Sequence, residues 1–210
     1  MMELNEKEMK ILKSLDTPKK IQNFLDKLEI NFDYKKDTCM SPRKVLQTGK
    51  CHCIEGAIFA ALCLKVNGFK PLVVDLETTK DDFDHVIAVF KKNGKWGSIS
   101  KTNHAVLRYR EPIYNTIREL VMSFFHEYFT DNGIKTLRAY SKPINLSRFD
   151  QKNWATDEKD LWYLAEYIAN VKHIPIINRK QISNLRKADK IEILAGKLVE
   201  WKPYGKRIIK

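Results

Sequence analysis

No apolar run in the sequence is long enough to cross a membrane. The longest, Gly56 to Leu64 (GAIFAALCL), has nine residues, about half of what a spanning helix needs. The amino end, MMELNEKEMK, is charged throughout and lacks the apolar segment of a secretion signal, so a cytoplasmic chain with no membrane partner is expected. Internal repeats and low-complexity segments are also missing. Arginine is scarce, 9 residues against 29 lysines, although surfaces that read phosphate draw heavily on arginine. Only four cysteines occur, Cys39, Cys51, Cys53 and Cys63, all within one 25-residue window. Outside a secretory context these read as free thiols rather than a disulfide framework.

What is present is an ordinary globular balance, 43% apolar and 30% charged over 210 residues, enough to bury a core without a staple. The formal charge of +12 is unevenly spread. Residues 51–100 carry six basic and six acidic side chains, whereas 171–210 carry 11 against 3. Nucleic-acid binding through the basic last 40 residues is therefore open on charge alone, and disfavoured by the lysine bias.

The apolar spacing of Leu4 to Leu15 predicts a helix, and Thr17-Pro18 and Ser41-Pro42 each mark a helix start. Gly49 breaks the second of these, and an apolar helix follows from Cys53 to Asn67, stopped by Gly68. The period then changes to that of strands: Pro71 to Leu76, Phe83 to Phe90, an Asn93-Gly94 hairpin turn, Lys95 to about Thr102, and a short strand from Ala105 to Tyr109. Helices are expected over 114–129, 157–170 and 179–189. The order predicts an α+β fold: N-terminal helices, a central helix packed on an antiparallel meander, and C-terminal helices. Residues 1–142 form the main domain, and 143–210 a basic, mainly helical portion packed on it.

Two of the cysteines invite chemistry. Cys53 stands at the first turn of the apolar helix, where unpaired N–H groups and the helix dipole favour a thiolate. Glu55 suits the same helix start. His85, in the strand FDHVIAVF, is the natural base, and the flanking Asp81, Asp82 and Asp84 favour its protonated form. With Asn93-Gly94 as the turn, facing residues sum to 187, so His85 faces Thr102 and Ile87 faces Ser100. Cys51-His52-Cys53 with His85 or His104 is a possible zinc set, but the spacing is not that of a zinc knuckle, and neither metal nor cofactor is expected. Cys51 could instead resolve an oxidised Cys53. Gln47, six residues before Cys53, is an oxyanion-hole candidate whose simpler reading is a solvated helix end.

Cys53-Ile54-Glu55-Gly56-Ala57, the apolar helix behind it, His85 heading a strand and Trp96 beyond a hairpin resemble a transglutaminase-like domain over about residues 45–105. That superfamily shares a papain-like arrangement of Cys, His and an orienting acid. The resemblance makes Cys53 the nucleophile and His85 the base. The acid falls four residues after the tryptophan, where this chain carries Ser100. The run from His52 to Ala57, with Asp84-His85-Val86-Ile87-Ala88 and Trp96-Gly97, is also similar to small prokaryotic members. Several of these have a small residue at the acid position and then Lys-Ser/Thr-Asn, here Lys101-Thr102-Asn103. Asn103 is the preferred third member by chemistry, because asparagine can orient a catalytic histidine, while register favours Ser100 or Thr102.

The resemblance implies a cysteine hydrolase or acyltransferase acting on an amide or peptide bond through a thioester. Hydrolysis is expected over crosslinking, since no calcium loop or amine site is marked. The alternative is a catalytically degenerate binding module of the same fold for an acidic protein or nucleic acid.

Overall fold

The computed structural model describes residues 4–32, 36–203 and 206–208. Capping fixes the first helices. Asn5 accepts from Glu8 N while the Glu8 carboxylate reaches back to Asn5 N, a capping box on α1 (Glu6–Ser14). Thr17 and Ser41, each followed by proline in the first turn, start α2 (Pro18–Leu25) and α3 (Pro42–Thr48). Gly49, with φ +68°, ends α3. Two short parallel strands, β1 (Glu29–Ile30) and β2 (Lys50–Cys51), then steer the chain into α4 (Cys53–Val66). Every residue of α4 from Glu55 to Leu64 is buried, as befits a helix apolar all round.

An antiparallel sheet covers the other side of α4. Its strands are β3 (Leu72–Glu77), β4 (His85–Lys92), β5 (Lys95–Ile99), β6 (Arg110–Tyr114), β7 (Ala139–Ser141), β8 (Ile144–Asn145) and β9 (His173–Pro175). They lie in the order β6-β5-β4-β3-β7-β9, with β8 also on β3. Alternation along β4 sends Val86, Ala88 and Phe90 into the core around α4. Ile87 and Val89 go into a second core with Leu120, Val121 and Phe124 of α5 (Ile117–Phe125). The fold is α+β, helices around an antiparallel sheet, and no described helix is long and apolar enough to cross a membrane.

The sheet departs from the sequence expectation past Ile99. The Asn93-Gly94 turn has φ of 50° and 77° and sets the expected register, Lys92 facing Lys95 and Val89 facing Ser98. Pairing stops at Ala88 and Ile99. The strand expected at Ala105–Tyr109 is absent, because Leu107 takes a left-handed φ of 61° that no extended ladder accommodates. β6 begins at Arg110 instead, and Gly97 on β5 lies where a Cβ would come within 2.8 Å of Arg110 O.

Other helices are shorter than expected. Tyr114 belongs to β6, so α5 waits for the Thr116 cap. Residues 146–152 form a 3₁₀ helix ahead of α6 (Trp162–Asn170). Separate caps at Asn178 and Asp189 divide α7 (Arg179–Ser183) from α8 (Lys190–Gly196). Strands β7 to β9 lie where no strand was expected. Pro143 stands between β7 and β8, both paired with β3, and Trp154, Leu164 and Ile168 join the core around α4.

Candidate active site

The first turn of α4 presents Cys53 half-buried between two imidazoles. Glu55, fully buried, organises this turn. Its carboxylate accepts from His52 N at 3.0 Å, Met40 N at 2.8 Å and the Thr38 hydroxyl at 2.7 Å. His52 Nε2 lies 2.9 Å from Thr38 O. A carbonyl only accepts, so Nε2 carries the proton and Nδ1 is the nitrogen left for the thiol. Burial works against a charge on His52, yet its hydrogen bond to Cys53 and the nearby Glu55 carboxylate hold its pKa up at about 9. Burial likewise opposes a charge on Cys53. Hydrogen bonds from His52 and His85, and the fields of both rings, prevail and bring the thiol down to about 5.

His85 is oriented from its far side. Its Nε2 lies 2.8 Å from Ser100 Oγ, and that hydroxyl donates to Leu107 O at 2.6 Å. Ser100 has spent its proton, so it accepts from Nε2–H and leaves Nδ1 for the thiol. Ser100 is itself held like a strand residue, but by a side chain. The Gln22 amide of α2 accepts from Ser100 N at 2.9 Å and donates to Ser100 O at 2.9 Å. Leu107, in its left-handed conformation, is pinned at both backbone groups, its N–H bonded to Glu127 at 2.8 Å.

Asn103, the preferred third member by chemistry, is not on the ring. Its side chain donates to Trp201 O at 3.0 Å and accepts from Trp201 N at 2.8 Å. Both amide functions are occupied by the short strand β10 (Trp201–Lys202). The residue at the acid position, Ser100, takes the place instead, because the chain leaves the ladder after Ile99 and carries Ser100 to His85 rather than opposite Ile87. Thr102 accepts from His104 N at 3.1 Å and does not touch the ring. Lys101 turns inward, its ammonium donating to Leu25 O at 2.8 Å and Leu28 O at 2.5 Å at the end of α2. This approach requires Gly56, where a Cβ would meet Lys101 Cβ at 2.5 Å.

Cys53 and His85 open into a cleft of about 540 Å³ whose walls include Phe83, Tyr128 and Lys197. A larger cavity of about 740 Å³, bordered by Arg148, Tyr167 and His173, has no part in this chemistry. The other thiols are buried; burial pushes Cys39 and Cys51 up to about 12, and Cys63 well above its ordinary value. Among the described residues no group of three or more His, Cys, Asp or Glu is placed to hold a metal ion. Gln47 is exposed and does not line the cleft. Arg108 and Arg110 are engaged by Glu200 and Glu127.

The sequence reading named His52 only as a possible zinc ligand and within the motif, and missed its place beside the thiol, Gln22, and the hub role of Glu55. The signal for the first and last was the spacing His52-x-x-Glu55 at a helix start; Gln22 left none. Neither protein-family models nor curated proteins give a match to this chain.

Proposed function

We propose that the protein is a transglutaminase-like cysteine hydrolase or acyltransferase that acts on amide or peptide bonds. The observation that carries this is a single thiol, lowered to about 5 at a helix start between two imidazoles, in an open cleft. The Cys53 thiolate attacks the carbonyl carbon, and the backbone N–H groups of the first turn of α4, which lack intrahelical acceptors, lie beside the developing oxyanion. Collapse breaks the C–N bond. The His85 imidazolium gives its proton to the departing amine, leaving a thioester on Cys53. Water, losing a proton to His85, attacks the thioester and releases the acid, restoring the starting pair. Ser100 positions His85 without adding charge, and the Glu55–His52 pair supplies a second imidazolium for the thiolate.

Alkylation with iodoacetamide at about pH 6 tests this. A thiol at 5 is about nine-tenths ionised there, against about 0.3% for an ordinary thiol at 8.5. Its lower basicity takes back part of the gain, so Cys53 should react on the order of tenfold faster than in the unfolded chain, and His85→Ala should remove most of that advantage. A Cys53 that reacts no faster than an ordinary thiol would falsify the enzyme reading.

A further inference from the structure

The cleft that holds Cys53 has a charge opposite to that of the molecule. The chain carries +12 overall, yet the wall of the cleft contains Asp81, Asp82, Asp84, Glu127 and Asp131 against Lys197 as the one lysine or arginine among the described residues. Two of the five are answered: Glu127 by Arg110 at 2.6 Å, and Asp131 by Lys197 at 3.6 Å. The three aspartates of the β3–β4 loop are not. Asp82 accepts from the Thr136 hydroxyl at 2.5 Å and from Phe83 N at 2.8 Å. Asp84 accepts from Thr78 N at 2.7 Å and from its hydroxyl at 3.0 Å. These bonds fix the loop without neutralising it, and none of the three aspartates makes an ion pair among the described residues. Between them Phe83 stands 88% exposed, an apolar ring in a carboxylate ring, which suits the alkyl stem and charged head of a lysine or arginine. Its backbone is held firm, since Phe83 O accepts from the Tyr128 hydroxyl at 2.5 Å.

We infer that the substrate is a basic peptide: the chain entering the cleft carries lysine or arginine beside the amide that Cys53 attacks, with the cation on Asp81, Asp82 and Asp84 and its stem on Phe83. This rests on the cysteine-enzyme reading above and names its substrate class. The protein's net positive charge works against such a peptide at long range, and the carboxylates of the cleft supply the local attraction.

Charged thiol reagents of matched size read this on the full-length chain. Trimethylammonioethyl and sulfonatoethyl methanethiosulfonate each form a mixed disulfide with Cys53 and release methanesulfinate. The imidazolium groups themselves favour the anionic reagent, so the informative quantity is the cation-to-anion rate ratio in the wild type divided by that in Asp81→Asn/Asp82→Asn/Asp84→Asn. That quotient is expected on the order of tenfold and should shrink with added salt. Asparagine keeps both Asp84 bonds, which share one oxygen; at Asp82 it keeps one acceptor, and the Thr136 hydroxyl turns to accept from the amide nitrogen. If the triple variant does not fold, Asp81→Asn, exposed and without an ion-pair partner among the described residues, is expected to give a smaller shift of the same sign. As a second arm, a Lys/Arg decapeptide should slow iodoacetamide alkylation of Cys53 and an Asp/Glu decapeptide should not.

A quotient of one with a reactive Cys53 overturns the substrate class and leaves the enzyme reading standing. An unreactive Cys53 overturns both. Protection by spermidine but not by the basic peptide would assign the cleft to free polyamines and overturn the peptide assignment.

Discussion

At the scale of single residues, the bonds and fields of His52 and His85 favour the Cys53 thiolate, and Cys53 and Glu55 in turn favour the His52 cation. The pH limits of this arrangement follow from two shifts. Cys53 is lowered from 9.0 to about 5, so the stability it contributes is complete above the unfolded value and is lost as pH falls through about 5. His52 is raised from 6.5 to about 9, so its contribution is complete below 6.5 and is lost as pH rises through about 9. The pair is therefore intact between about 5 and 9. The alkylation rate of Cys53 should rise to half its plateau near pH 5, and in His52→Gln that midpoint should move up by roughly one unit or more. A midpoint that stays put in the variant would show that His52 takes no part in holding the thiolate.

At the scale of elements, the site depends on how closely α4 and the end of β5 approach. Gly56 faces Lys101 with no room for a methyl group. Gly56→Ala gains helix propensity but forces the two backbones apart, and should lower stability by about 1–3 kcal/mol, measured by urea unfolding. A variant as stable as the wild type would mean that Lys101 yields easily. The same juncture marks what was legible in the sequence. Cys53 at a helix start, His85 on a strand and the Asn93-Gly94 hairpin follow from local periodicity and turn chemistry, and all three stand where expected. The third member did not follow. Its placement depends on where pairing stops, and there Leu107 and Lys101 hold the segment after Ile99 while Gln22 clasps Ser100 from α2. Asn103 has the right chemistry, yet its amide is claimed by Trp201, a contact 98 residues away that no local pattern announces.

At the scale of the whole molecule, the sheet joins segments of the chain as far apart as Leu72 and Pro175. β9 adds to the edge made by β7, and Nε2 of the half-buried His173 reaches Oδ2 of the buried Asp75 on β3 at 3.0 Å. Burial, then the nearby Asp84, raise the Asp75 pKa, and His173 opposes them. Removing His173 leaves a carboxylate without its partner. His173→Ala should cost about 3 kcal/mol at pH 7. Because the folded-state pKa of Asp75 lies above its unfolded value, the buried carboxyl takes up a proton before the unfolded chain does, and the penalty should shrink as pH is lowered. Urea melts of both proteins at neutral and mildly acidic pH would show it; a penalty constant with pH would rule out Asp75 as its source.

The clasp between Gln22 and Ser100 spans 78 residues of chain, and it bears on the time course of folding. Contacts so distant in sequence close late, since the entropy of a long loop must be overcome first. The helix bearing Cys53 can form early from local contacts. The His85 ring acquires its orientation only once Ser100 is clasped. The thiol's acidity thus arrives in two stages: His52, at the cap of its own helix, contributes locally, and His85 adds its share once the long-range contacts have closed.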